Sequence, residues 1–273
     1  MLLLIASVCC GVTGNAQVKM PAPSTTQTIV QDFGMGAIEL TYSRPNTKGR
    51  KIYGDLVPYN KLWRMGANAA TKIVFTDAVE LGGKKADTGT YVLYAIPGVD
   101  RWEIILNKGL TNWGIEGYNE SQDIIRFKVE PMKIKTPVET LTMQFVNIAP
   151  ESCELQIVWA KTLVTIPVTT NIKDRLKTQI EAAMQTDKKP YWQAAQFYKE
   201  YDNNLAKALD NCTKAIAVTD KPYWIWIYKA KIQKEMGDKS GAKVSAQKSL
   251  ELAKEAKNDD YVKMNEELLR RLK

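Results

Sequence analysis

Residues 138–168 read VETLTMQFVNIAPESCELQIVWAKTLVTIPV, and this stretch decides the architecture. Apolar residues recur at every second position through Leu141, Met143 and Phe145, and again through Cys153, Leu155, Ile157 and Trp159. A two-residue period places one set of side chains on a single face of a strand, and Pro150 marks a turn between two such strands. Toward the N-terminus the same kind of run recurs as AIELTYS (37–43), TKIVFT (71–76), TYVLYAI (90–96), RWEIILN (101–107) and DIIRFKVE (123–130). Gly82-Gly83, Pro97-Gly98, Pro131 and Pro137 punctuate them. Seven or more strands without a long helical pattern predict an antiparallel, jelly-roll-like β-sandwich over residues 17–170.

In the other direction the period changes. After Asn171 glycine becomes scarce and apolar residues fall three and four apart, which predicts an all-α region over residues 171–273 and an α+β chain as a whole. Lys-Pro-Tyr-Trp occurs at 189–192 and again at 221–224. Ala208, Cys212 and Ala215 find counterparts in Ala242, Ala246 and Ser249 at an offset of 34 rather than 32, so the turn inside the first unit is expected to be two residues shorter. Small residues at Ala230, Gly237, Ala242 and Ala246 would let paired helices approach closely. The pattern resembles two degenerate tetratricopeptide repeats. A helix around Leu176 and Ile180 would precede them, and one carrying Tyr261, Met264, Leu268 and Leu272 would cap them.

Hydrophobic residues make up 45% of the 273 and charged residues 25%, which excludes wholesale disorder and a polytopic membrane protein. There is no histidine. That removes Ser-His-Asp and Cys-His nucleophile machinery, His-ligated zinc and any His general base. No phosphate-binding GxxxxGK[ST] loop, calcium loop or cysteine metal spacing occurs, so neither metal nor cofactor is expected. The net charge is +8, and residues 171–273 carry 21 Lys+Arg against 15 Asp+Glu. Eighteen of those cations are lysines scattered over helical sequence, the pattern of a solvated face, and nucleic acid is not expected as a partner.

Residues 1–16, MLLLIASVCCGVTGNA, are uncharged, open on an apolar run and close on small residues. They read as a signal peptide cut before Gln17, although the basic residues that usually open such a segment are missing. The run is too short for a membrane anchor, so no transmembrane span is expected in the mature chain. Val8 and Cys9 are poor neighbours for acylation at Cys9 or Cys10, which makes a lipoprotein the weaker reading. Cys153 and Cys212 would remain, both in phase with core positions and read as small hydrophobes rather than a disulfide.

One segment concentrates chemistry. Between Arg44 and Arg64 lie six cations and a single acid, Asp55, interrupted by Pro45, Gly49, Gly54 and Pro58. A long structured loop of this kind is a candidate anion or polar-ligand site. Arg44, Lys48, Arg50 and Arg64 would supply charge, Tyr59 and Trp63 flat walls, and Asn68 an amide. Trp113, in a Gly-rich hairpin, would line the same end of the sandwich. The competing reading is an ordered crossover, with Arg44 and Arg64 on Asp32, Asp55 or carbonyls and Trp63 plugging the core. Glu103, Glu116, Glu120 and Asp123 supply carboxylates for glycoside hydrolysis, but no motif selects a pair.

The loop, YSRPNTKGRKIYGDLVPYNKLWRMGANAAT (42–71), together with GGKKADTGTYVLYAIPG (82–98), NKGLTNWG (107–114) and DIIRFKVEP (123–131), resembles the domain-of-unknown-function family 2911. That family is found in exported proteins of Bacteroidetes-type bacteria, often with a helical tail. The resemblance implies export to the periplasm or cell envelope of a Gram-negative bacterium and carries no activity to transfer. If its motif marks a site, the residues are Arg44, Lys48, Arg50, Tyr59, Trp63, Arg64 and Asn68. The combined expectation is a non-catalytic binding or scaffolding module, with a glycan or anionic ligand on the sandwich and a protein or peptide on the helices. The alternative is a histidine-free hydrolase of envelope glycans or polymers.

Overall fold

Ten strands and six helices make up the computed structural model, which describes residues 20–272. The expected leader over 1–16, with Cys9 and Cys10, lies outside the described residues. The strands are β1 (Thr25–Phe33), β2 (Gly36–Arg44), β3 (Thr71–Phe75), β4 (Val79–Leu81), β5 (Lys84–Ala86), β6 (Gly89–Ile96), β7 (Trp102–Asn107), β8 (Asp123–Val129), β9 (Met132–Ala149) and β10 (Ser152–Thr169). Two compact units result, one ending at Thr170 and the other beginning at Asn171.

Every strand pairing is antiparallel. One sheet has the order β1-β2-β3-β6-β7-β8 and the other β5-β4-β10-β9. Their inner faces share one buried cluster, in which Leu40, Ile73, Leu93 and Ile104 of the first sheet meet Leu81, Leu141, Leu155 and Ile166 of the second. Each such side chain contributes roughly 1.5–3 kcal/mol of transfer free energy, so the two faces drive each other's closure.

β9 and β10 are 18 residues each, and an irregularity lets them serve the core throughout. Along β10 the buried positions are Cys153, Leu155, Ile157 and Trp159, then Val164, Ile166 and Val168. The parity changes from odd to even because Ala160 adopts φ 52° and the register slips on both sides of it. A bulge inserts the one residue needed to turn the second apolar run back inward. Pro137 sits opposite this slip, on an edge strand, where a missing N–H costs no ladder bond.

The helices are α1 (Lys173–Ala183), α2 (Tyr191–Glu200), α3 (Leu205–Val218), α4 (Tyr223–Glu235), α5 (Lys239–Glu255) and α6 (Asp259–Arg271). Consecutive helices pack on one another from α1 through α6. The two Lys-Pro-Tyr-Trp copies open α2 and α4, with Pro190 and Pro222 as N-caps, so the repeat in sequence is a repeat in structure. Asn204 and Asp238 cap the partner helices α3 and α5, accepting from the N–H groups of Lys207 and Gly241. The expected shorter turn is not the source of the difference between the offsets 32 and 34. α2 has 10 residues against 13 in α4, and the turn after α2 is the longer one by a single residue.

Small residues line the α4–α5 and α5–α6 contacts: Ala230, Ala242 and Ala246 are fully buried beside Ile227 and Leu268. The buried Asn265 amide donates to the Ser249 hydroxyl (2.8 Å), which donates to the Tyr223 carbonyl (2.7 Å), fixing α4, α5 and α6 in register. Of the expected capping-helix residues, Leu268 and Leu272 are buried and Met264 is exposed. Among the described residues no helix is long and apolar enough to cross a membrane.

Candidate functional site: a basic loop over an aromatic floor

Residues 45–70 connect β2 to β3 as a loop pinned at both ends. At its start Thr47 donates its N–H to the Glu139 carbonyl (2.8 Å), and Leu141 donates to the Pro45 carbonyl (2.9 Å). Near its end Trp63 exchanges two backbone bonds with Ala95 (2.7 and 2.9 Å), continuing the sheet beyond the short β3. Between these anchors Ile52, Tyr53, Val57, Trp63 and Met65 turn inward and join the sandwich core. Tyr53 and Trp63 meet Trp102 of β7 and Trp159 of β10 as an aromatic floor. The centroid of the Tyr53 ring is 5.0 Å from that of Trp102, and the Trp63 and Trp159 rings stack at 6.2 Å with 14° between planes. Burial drives the Tyr53 phenol well above its usual range, so it stays neutral.

A cleft of about 370 Å³ opens above this floor. Arg50, Trp63, Arg64, Trp159, Leu56 and Ile115 are among its walls, and none of its described lining residues is an Asp or Glu. The cations of the loop divide sharply in their commitments. Arg44 donates through Nε to the Leu141 carbonyl (3.0 Å) and through Nη2 to the Thr142 hydroxyl (2.9 Å), so it ties β2 to β9. Arg50 donates through Nε and Nη2 to the carbonyls of Thr47 and Asn46 (2.9 and 2.7 Å), closing its own turn. Lys48 is exposed, has φ 48°, and presents its backbone N–H to a Glu139 carboxylate oxygen at 2.8 Å. The second Glu139 oxygen accepts from the Thr47 hydroxyl.

Arg64 is different. Its Nε is buried and has no hydrogen-bond partner among the described residues, and no ion pair engages its guanidinium there. Its Nη1 lies beneath the hairpin that follows β7: a Cβ built on Gly114 would fall 2.8 Å from it. Gly114 has φ 64°, so glycine here meets both the backbone and the steric demand. A buried guanidinium nitrogen without an acceptor forfeits roughly 1–3 kcal/mol, and the residue that bears this cost also lines the cleft.

The remaining sequence candidates fall elsewhere. The Asn68 amide donates to the Ser24 carbonyl (3.2 Å) and holds the strand that leads into β1. The Tyr59 ring lies across Gly54 at the loop's exposed tip. Trp113 does not line the cleft: it is 64% exposed and belongs to a separate open groove with Lys108, Asn112, Glu116, Asn119 and Gln122. Turn geometry explains the split, since Gly114 and Ile115 face Arg64 and the preceding tryptophan is carried to the other side. Three of the four carboxylates considered for hydrolysis converge on Arg126 instead, with Asp123 at 2.7 Å and Glu103 and Glu120 at 3.2 Å each. Tyr118 also donates to Asp123 (2.7 Å), and burial followed by that bond pushes its phenol up to about 12. Cys153 and Cys212 are buried and free, with burial pushing Cys153 up to about 11 and Cys212 up to about 12. Among the described residues no group of three or more acids and cysteines is placed to hold a metal ion.

The family model described as "Protein of unknown function (DUF2911)" matches residues 24–168. The chain belongs to this family. No curated protein and no solved structure matches it. All the described lining of the cleft, from Ser24 to Trp159, lies inside the DUF2911 region, and the helical unit lies outside it. Sequence reading of the DUF2911 loop picked out Arg50, Trp63 and Arg64 but missed Trp159, Ile115 and Gly114. Trp159 keeps strict phase with Leu155 and Ile157 and so reads as pure core. Gly114 carries the only available signal, a glycine directly after Trp113 in a hairpin.

Proposed function

We propose that this chain is an exported, non-catalytic binding protein of a Gram-negative cell envelope, whose sandwich captures a polar or anionic ligand in the cleft beside Arg64. The observation that carries the reading is Arg64, a cleft-lining arginine with no hydrogen bond or ion pair to its side chain among the described residues, in a cleft whose described lining lacks acids. A guanidinium offers a planar fork for an oxyanion, and the Trp63–Trp159 floor offers flat apolar surface beside it. The uncharged, apolar residues 1–16 support export. The paired helices α2–α3 and α4–α5 support a tetratricopeptide-like docking unit for a peptide or protein partner. Hydrolysis would need two carboxylates converging near Arg44 and Arg64; the acid-free lining favours binding.

A thermal-shift screen tests this. The purified protein would be melted with glycans, simple carboxylates, phosphate and peptidoglycan fragments, alongside an Arg64→Gln variant. The expected result is saturable stabilisation by an anionic ligand, absent in a variant that still melts cooperatively. Equal stabilisation of both proteins would overturn the assignment of the ligand to Arg64.

A further inference from the structure

The free donors in the cleft define its ligand more narrowly, on the reading that the cleft is a binding site. Of its two guanidiniums, Arg50 has already committed Nε and Nη2 to its own turn, leaving Arg64 as the cation without an acceptor among the described residues. One available fork matches one singly charged, two-oxygen anion. A phosphate monoester presents three acceptor oxygens, and although Arg50 keeps its charge, the one uncommitted guanidinium has a fork for only two of them. Among the described residues of the lining the other side chains with a polar atom are Ser24 and the two indoles, and none is Asn, Gln, Asp or Glu. Sugar hydroxyls need such two-way partners, so a glycan would lose its hydrogen bonds to water without replacement. The remaining walls are apolar, including Leu56, Pro58, Leu62, Trp63, Ile115 and Trp159. The volume of about 370 Å³ is at the small end for ligand pockets, which run roughly 300–1,000 Å³.

We infer that the cleft binds a small monocarboxylate with a flat or branched apolar body, the carboxylate on Arg64 and the body among the apolar walls over the Trp63–Trp159 floor. Such a group comes from a free organic acid or from the C-terminal residue of a peptide, and both present the same chemistry.

Calorimetric titration of the full chain would use five probes: phenylacetate, N-acetylphenylalanine, phenylacetamide, glucuronate and inorganic phosphate. Phenylacetate or N-acetylphenylalanine is expected to bind saturably, with phenylacetamide at least about tenfold weaker because the charge-assisted fork is lost. Tighter binding of N-acetylphenylalanine than of phenylacetate assigns the ligand to a peptide terminus, and the reverse order to a free acid. Arg64→Lys should weaken binding and Arg64→Gln abolish it. Gly114→Ala should also abolish it while leaving the arginine in place, because the added Cβ displaces Nη1. Equal binding of phenylacetate and its amide would overturn the carboxylate assignment without recourse to any variant. Arg64-dependent binding of phosphate or glucuronate alone would overturn the ligand class but keep the cleft. Silence from all five probes would overturn both.

Discussion

Arg44 and Arg64 stand at the two ends of one basic loop, and their side chains meet opposite fates. Arg44 continues β2 and finds the Leu141 carbonyl on neighbouring β9, whereas Arg64 follows Trp63 into the core's edge and meets no acceptor among the described residues. Nothing in the loop's composition separates them, because the difference lies in β9, nearly a hundred residues away. That is why Arg50, Trp63 and Arg64 were legible as cleft residues while Trp159 was not. The first three share a local segment, and the fourth is brought in by sheet pairing. The same β9 contact makes a pH prediction. Glu139 accepts from the Thr47 hydroxyl and the Lys48 N–H, which, with weaker help from Arg50 and Lys48, hold its carboxyl below the ordinary 4.5. A depressed folded pKa gives a contribution present above the unfolded value and lost as pH falls through the folded value. The melting-temperature gap between the protein and a Glu139→Gln variant should therefore be full near neutrality and close as the pH falls below 4.5. A gap that stays constant over that window would show that the carboxylate's charge is not what anchors the loop.

At the scale of elements, the long alternating runs were legible and the short strands were not. Expected runs at 71–76, 90–96 and 123–130 fall within a residue or so of β3, β6 and β8. β1, TTQTIVQDF, was missed because it is a polar edge strand with few inward positions to create a period. β4 and β5 were missed at three residues each, and only their turn, Gly82-Gly83, was visible. The structure shows what that turn demands. Both glycines have positive φ, 58° and 74°, as a two-residue turn of mirror-image type requires. A Cβ at Gly82 would also lie 2.3 Å from the Phe127 ring on β8, while one at Gly83 meets nothing within 4 Å. Gly83→Ala should therefore cost only the left-handed backbone penalty, about 1–2 kcal/mol. Gly82→Ala should cost that and a further roughly 1–3 kcal/mol for overpacking, read as denaturant midpoints. Equal losses would mean that Phe127 moves aside freely.

At the scale of the whole chain, each unit carries its own buried clusters and its own hydrogen-bond network. In the first, Leu40, Trp102 and Trp159 belong to one continuous cluster closed by β9 and β10. In the second, Cys212 and Ile225 centre one cluster and Ala242 and Leu268 another, joined along successive helices by contacts between sequence neighbours. A core that closes within its own stretch of sequence can fold without the rest. Residues 20–170 and 171–273, produced separately, should therefore each melt cooperatively, with a β-rich and a helical far-ultraviolet spectrum respectively. The helical fragment is the more exposed to failure. Its contacts run between neighbouring helices, so losing one helix removes an interface from the next and lowers cooperativity along the array. The sharper outcome concerns function. Because every described lining residue of the cleft lies between Ser24 and Trp159, the 20–170 fragment should bind a carboxylate probe as the full chain does. If it folds and binds nothing while the full chain binds, residues 171–273 supply part of the site, and the assignment of recognition to the sandwich alone would have to be abandoned.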